Sequence, residues 1–184
     1  MGLGDELIQL AKGREIDNNE LSHLYDLSKL KKQEIPLIQK ISYKTKPSPI
    51  KGKYYTFQFD KGWGQRTWSP ENQWSVRQLH GLYHHYKQEY NMINIGERRY
   101  DLKTIADIIT GSVGHVGICS GMGWLALACG IKPEIFYTTN SKCSYLDNWK
   151  RWWKLNGVQI KYFDEEFKKV PCNIAVDGKK YEKK

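Results

Sequence analysis

The chain has 184 residues, with 29 Lys plus Arg against 20 Asp plus Glu and a formal charge of +9. Apolar residues make up 40% and aromatic residues 13%, with 7 Trp and 12 Tyr. That composition excludes a disordered chain and leaves room for one ordinary domain with an appendage. No apolar run approaches the roughly 18 residues of a membrane span, and Met1-Gly2-Leu3-Gly4-Asp5-Glu6 lacks the basic start of a secretory leader. The expectation is a cytoplasmic protein.

In chain order, Gly4–Lys12 reads as a helix with Leu7, Ile8 and Leu10 apolar, and Glu20–Lys32 as a second, with Leu21, Leu24, Leu27 and Leu30 on one ridge. Lys44–Lys53 contains two prolines, a glycine and several lysines, the composition of an extended linker. Tyr54–Phe59 has strand propensity. Ser69-Pro70-Glu71 opens a helix that runs to about Tyr90, with Ser as N-cap and Pro at the first helical position. Met92–Ile95 is a short strand. Asp101 caps a helix carrying Leu102, Ile105, Ala106 and Ile109, which Gly111 can end. His115–Cys119 is a buried strand, Ser120–Gly123 opens the helix Trp124–Cys129, and Gly130 stops it. Ile135–Thr138 is a strand, Tyr145–Leu155 a Trp-rich amphipathic helix, and Val158–Phe163 a last strand. Strands alternating with helices imply an α/β protein with a doubly wound parallel sheet.

The four cysteines, Cys119, Cys129, Cys143 and Cys172, contain no C-x-x-C pair, so reduced thiols are expected rather than a zinc ribbon. The middle of the chain is close to neutral and the basic excess lies at the two ends, which suits solubility and equally an encounter with phosphate, nucleic acid or an anionic surface. His80, His84 and His85 share a helix but form no H-E-x-x-H and read as surface residues; no metal is expected. Trp149, Trp152 and Trp153 lie on one helical face and read as core or interface rather than as base-stacking groups.

The strongest chemical signal is Gly117-Ile118-Cys119-Ser120-Gly121-Met122-Gly123-Trp124. A buried strand runs into a turn of small residues and then a helix. Free amides and the positive dipole end of that helix favour an anion, and Ser120 can add a hydroxyl. The same glycines also suit a tight turn needed for packing alone. The motif is not G-x-G-x-x-G, so no nicotinamide cofactor is indicated.

Val116–Gly130 resembles the sugar-nucleotide motif of heptosyltransferase-type GT-B glycosyltransferases, and the version with Trp124 resembles their autotransporter heptosyltransferase branch. Gly2-Leu3-Gly4-Asp5 is similar to the family's N-terminal Gly-x-Gly-Asp turn, and Gln65–Trp74 to its basic-x-Trp-Pro-Glu-x-x-Trp segment. The resemblance implies a single Rossmann-like GT-B-type domain over 54–170. Before it stand a short helical segment at 1–45 and a linker at 46–53, and after it a basic tail at 171–184. Cys119 stands where the family has an acidic residue and Trp124 where it has His. Residues 1–53 stand where the family has a second Rossmann-like domain.

The resemblance further implies inverting, metal-independent sugar transfer. Asp5 would be the catalytic base, although it also suits a helix N-cap. Arg66, Ser120, Gly121, Met122, Gly123 and Trp124 would hold the nucleotide-diphosphate sugar. The donor is a substrate and no cofactor is called for. The acceptor is a protein, glycan or nucleic acid, and a second copy completing the cleft is compatible with the small size. The alternatives are a non-catalytic nucleotide-sugar-binding module and a basic nucleic-acid-binding protein.

Overall fold

The structure is a computed structural model that describes residues 3–14, 16, 19–59, 76–96, 100–137, 144–162, 175–176 and 179–180. Helix α1 (Leu3–Ala11) and a short α2 (Asn19–Ser22) are followed by a 3-10 turn at Leu27–Lys29. Then come β1 (Tyr54–Gln58), α3 (Val76–Lys87), β2 (Asn91–Asn94), α4 (Leu102–Thr110), β3 (Gly114–Ile118), α5 (Gly121–Ala128), β4 (Glu134–Tyr137), α6 (Ser144–Leu155) and β5 (Ile160–Tyr162). The five strands form an all-parallel sheet in the order β2-β1-β3-β4-β5. This is the expected doubly wound α/β architecture.

Local chemistry accounts for the elements. Asp101 accepts the Thr104 amide at 2.7 Å and starts α4, whose Leu102, Ile105, Ala106, Ile108 and Ile109 are buried. Every residue of β3 is buried, as a central strand covered on both faces requires. Helix α5 is apolar nearly all round and correspondingly enclosed. Gly130 leaves it with φ +86°, a conformation that suits glycine.

The two faces of the sheet carry separate cores. Phe57, Phe59, Val116, Ile118 and Phe136 pack with Leu82, Tyr83 and Tyr86 of α3. Tyr54, Ile135 and Tyr137 pack with α4, α5, α6 and α1 on the other face. The chain therefore turns one way across the sheet through α3 and the other way through α4, α5 and α6. The direction reverses between β1 and β3, and in such sheets the crevice outside the carboxyl ends of those strands is where ligands bind.

Two stretches differ from the sequence reading. The helix expected over Glu20–Lys32 breaks after Ser22. Asp26 Oδ1 accepts the Ser28 amide (3.2 Å) and hydroxyl (2.6 Å), so a short polar side chain takes a backbone donor the helix would need. Leu21 and Leu24 stay buried while Leu27 is 51% exposed. The proline- and lysine-rich stretch forms the end of an extended strap over 36–48 that crosses three helix C-termini in turn. The Ile38 amide donates to Asn156 Oδ1 (2.8 Å) after α6, the Ile41 amide to the Ala128 carbonyl (3.0 Å) at the end of α5, and the Lys46 amide to Asp107 Oδ1 (2.8 Å) on α4. Lys40, Lys44 and Lys46 are exposed there, and positive charge is favourable at the negative ends of helix dipoles. Gly111 ends α4 with φ −82°, so it is not a left-handed cap. Its role is close approach, since a Cβ would lie 2.6 Å from Ser48 Cβ.

Within the stretch read as a basic tail, β6 (Ala175–Val176) and β7 (Lys179–Lys180) pair antiparallel. Among the described residues, no helix is long and apolar enough to cross a membrane.

Candidate anion-binding site at the switch point

Strand β3 ends at Ile118, and two residues later Ser120, in extended conformation (φ −146°, ψ 165°), becomes the N-cap of α5. An N-cap serine normally accepts an amide of the first turn. Here the hydroxyl makes no such bond. Ser120 is only 6% exposed and its Oγ has no hydrogen-bond partner. A buried polar atom and the opening amides of α5 thus lie together at the switch point.

The first turn of α1 packs on this turn. A Cβ on Gly121 would lie 2.8 Å from the Gly4 amide nitrogen and 2.9 Å from Leu3 Cβ. The structure therefore brings together two glycine-bearing motifs, Leu3-Gly4-Asp5 and Ser120-Gly121, which are far apart in the chain. Asp5 and Glu6 occupy the first turn of α1, where negative charge suits the dipole; Asp5 is half-buried and Glu6 is 7% exposed. Asp5 lies inside the helix, past the cap position.

The remaining site candidates separate. Gly123 is closely packed, since a Cβ would lie 2.7 Å from Ile135 Cδ1 and 3.1 Å from Trp153 Cη2. Met122 is buried at 3% exposure. Trp124 is fully buried, stacked on Trp153 with centroids 3.3 Å apart and edge-on to Trp149 at 5.6 Å. Its ring is a packing element, and α6 supplies the partners expected of its Trp-rich face. Trp149 and Trp153 are thus internal, and only Trp152 of the three is partly exposed. Arg66, with all of Gln65–Trp74, lies outside the described residues, as do Cys143 and Cys172.

Strands β1 and β3 also bury polar side chains, Thr56, Gln58 and His115. Thr56 and Gln58 of β1 stand beside His115 and Gly117 of β3 in register. Thr56 Oγ1 donates to the Gly114 carbonyl (3.2 Å) and lies 3.1 Å from His115 Nδ1. The one Thr56 hydroxyl proton can go to the Gly114 carbonyl or to Nδ1, and the other ring nitrogen of His115 is Nε2. That Nε2 has no partner, and neither has Gln58 Oε1. His115 is fully buried, and burial holds its pKa down to about 3. The sequence reading placed His115 only at the start of a buried strand and did not single out Gln58. The available signal was the alternation of Thr56 and Gln58 in an otherwise apolar strand.

Cys119 brings no acid to the site. Tyr137 Oη donates to its Sγ at 2.8 Å, and burial pushes the Tyr137 phenol well above its usual range. The Cys129 thiol is pushed up to about 12 by burial, so it stays protonated. His84 and His85 are exposed. Among the described residues, no group of three or more His, Cys, Asp or Glu is placed to hold a metal. A cavity of about 480 Å³ lined by Leu10, Ile16, Leu30 and Lys32 lies at the far end of α1, away from the switch point.

Comparison with known proteins finds no relative. No family model, no curated protein and no solved structure matches the chain.

Proposed function

We propose that the protein binds a nucleotide-diphosphate sugar at the Ser120–Gly121 turn, in the manner of the heptosyltransferase-type enzymes its motifs resemble. The observation that carries this reading is the buried, unpartnered Ser120 hydroxyl at the opening of α5, at the switch point of the sheet. The diphosphate would take the α5 amides and Ser120 Oγ, with Arg66 as a counter-charge. Asp5, on the helix that packs against Gly121, would remove the proton of an acceptor hydroxyl as the sugar is transferred with inversion.

A second reading, binding without turnover, draws on Cys119. The family's acidic residue is replaced by a buried thiol bonded to Tyr137, so the pocket would hold the donor and lack part of the machinery. A thermal-shift panel of nucleoside diphosphates and nucleotide-sugars tests both readings. A selective rise in Tm that Ser120→Trp abolishes supports the site, and a rise in Tm unchanged in Ser120→Trp overturns it. Sugar transfer that Asp5→Asn abolishes separates the enzyme from the binding module.

A further inference from the structure

Residues 27–53 hold eight lysines and one acidic residue, Glu34, so +7 of the formal charge of +9 lies in this stretch. All eight lysines are exposed, and among the described residues only Lys29 is in an ion pair, with Asp26. The same stretch carries three of the five large apolar side chains exposed among the described residues, Leu27, Ile35 and Leu37. Ile35 and Leu37 sit on a closed loop. The Lys31 amide donates to Gln39 Oε1 (3.0 Å) and Gln39 Nε2 donates back to the Lys31 carbonyl (2.9 Å), which ties the two limbs together. Inside the loop, Gln33 Nε2 donates to the Leu37 carbonyl (3.0 Å) and the Leu37 amide to the Ile35 carbonyl (2.8 Å). Gln33 Nε2 also reaches the Ala11 carbonyl (3.0 Å) at the end of α1, and Asn156 Nδ2 donates to the Pro36 carbonyl (2.9 Å) after α6. The loop is thus fixed from within and anchored at two helix ends, while Ile35 and Leu37 stay in solvent with Lys31, Lys32 and Lys40 on the limbs. Leu155, a fourth exposed apolar side chain, directly precedes the anchoring Asn156. Exposed apolar groups rimmed by charge mark an interaction surface.

We infer that this stretch docks on an anionic lipid surface, with Ile35 and Leu37 entering the headgroup boundary and the lysines meeting the lipid phosphates. Apolar burial and the attraction of lysine to anionic lipid act together at such a surface. Glu34 directly precedes Ile35, so insertion stays shallow, at the level of the headgroups. Nucleic acid is the poorer match, because it is held through arginine and stacked aromatic rings as well as lysine. Residues 27–53 contain no arginine and one aromatic residue, Tyr43, whose hydroxyl is held by Asp107 at 3.3 Å. The loop touches Ala11 at one end of α1, and the other end of α1 meets Gly121. Docking therefore leaves the Ser120 turn uncovered and does not depend on what that turn binds.

The test is flotation of the full chain with vesicles of phosphatidylcholine alone and of equal parts phosphatidylcholine and phosphatidylglycerol. The protein is expected to float with the mixed vesicles, to stay behind with phosphatidylcholine alone, and to be released as salt rises. Ile35→Ser combined with Leu37→Ser is expected to weaken binding about tenfold. Lys31→Gln combined with Lys40→Gln is expected to weaken it about tenfold or more. All four positions lie outside the buried core, so both double variants are expected to unfold at the Tm of the unaltered protein. Absence of flotation with the mixed vesicles overturns the inference. Flotation that survives Ile35→Ser with Leu37→Ser unchanged also overturns it, since charge alone would then hold the protein. Binding of a mixed-sequence RNA without flotation overturns it and gives the lysines to nucleic acid. A dimer that the Ile35→Ser and Leu37→Ser variant loses, without flotation, overturns it and gives the loop to a second copy of the chain.

Discussion

The Gly4 amide nitrogen lies 2.8 Å from where a Cβ of Gly121 would stand, so the first turn of α1 and the first turn of α5 meet through glycine. Two helix N-termini converge there, and the acidic pair Asp5 and Glu6 accompanies them. Gly121→Ala places a methyl against backbone, which cannot swing aside as a side-chain tip can. The expected cost is about 1–3 kcal/mol, seen as a lower denaturation midpoint. Displacing α1 is also expected to weaken nucleotide-sugar binding. A variant with unchanged stability and binding would show that the contact between α1 and α5 is loose in solution.

Ser120→Ala is expected to act with opposite signs on stability and binding. The hydroxyl is buried and unpartnered in the free protein, so removing it relieves a desolvation cost and leaves the unliganded Tm unchanged or slightly raised. Losing a hydrogen bond to a charged phosphate is expected to weaken ligand binding by about tenfold or more. Calorimetric titration beside thermal unfolding reads both signs. A fall in unliganded Tm would mean that the hydroxyl has an internal partner instead.

Much of the sheet was legible because its elements advertise themselves locally. Asp101 with Thr104 three residues on, the spacing of Leu102, Ile105 and Ile109, and the Gly130 stop all act over a few residues. The docking of α1 on α5 was not legible, because it joins Gly4 to Gly121 across most of the chain and no periodicity encodes such a contact. The break in 20–32 was missed because the leucine ridge outweighed one Asp26–Ser28 turn. For Trp124, spacing alone could not tell a ring facing a ligand from one stacked on Trp153. The contact between His115 and Thr56 was hidden for a similar reason, since it joins two strands far apart in the chain.

The Trp124 ring supports the fold and not the ligand. Trp124→Ala removes the centre of a cluster with Trp149 and Trp153 and is expected to cost about 3–5 kcal/mol. Trp124→Phe keeps an aromatic plate on Trp153 and is expected to retain the nucleotide-sugar affinity of the unaltered protein within about twofold while unfolding more easily. A Phe variant that folds but no longer binds would return the ring to the site.

His115 also sets a pH dependence. Burial holds its folded pKa at about 3, against 6.5 in the unfolded chain. Between those values the unfolded chain takes up a proton that the folded protein refuses. The contribution is therefore complete above pH 6.5 and is lost as pH falls toward 3, at about 1.4 kcal/mol for each pH unit inside the window. Guanidinium midpoints of the unaltered protein and His115→Gln, compared across this window, isolate the term from the titration of carboxylates. The unaltered protein is expected to lose more stability on acidification than the variant. Parallel curves would mean that the imidazole is solvated in the folded state.

Asp107 offers a change at the opposite end of the sheet. Its carboxylate is 8% exposed, with Oδ1 accepting the Lys46 amide at 2.8 Å and Oδ2 accepting the Tyr43 hydroxyl at 3.3 Å. Asp107→Ala leaves both donors without their acceptor and is expected to cost about 1–3 kcal/mol. Faster hydrogen exchange at the Lys46 amide should accompany it as the strap lifts from α4. Asp107→Asn keeps one acceptor oxygen and is expected to fall between the two. The strap crosses the helix C-termini near the start of β1, whereas Ser120 and Gly121 lie beyond the carboxyl end of β3, so ligand affinity is expected to survive Asp107→Ala. Loss of affinity together with strap opening would show that the two ends of the sheet are coupled through α4 and α5, and that residues 36–48 help to hold the switch-point turn in place.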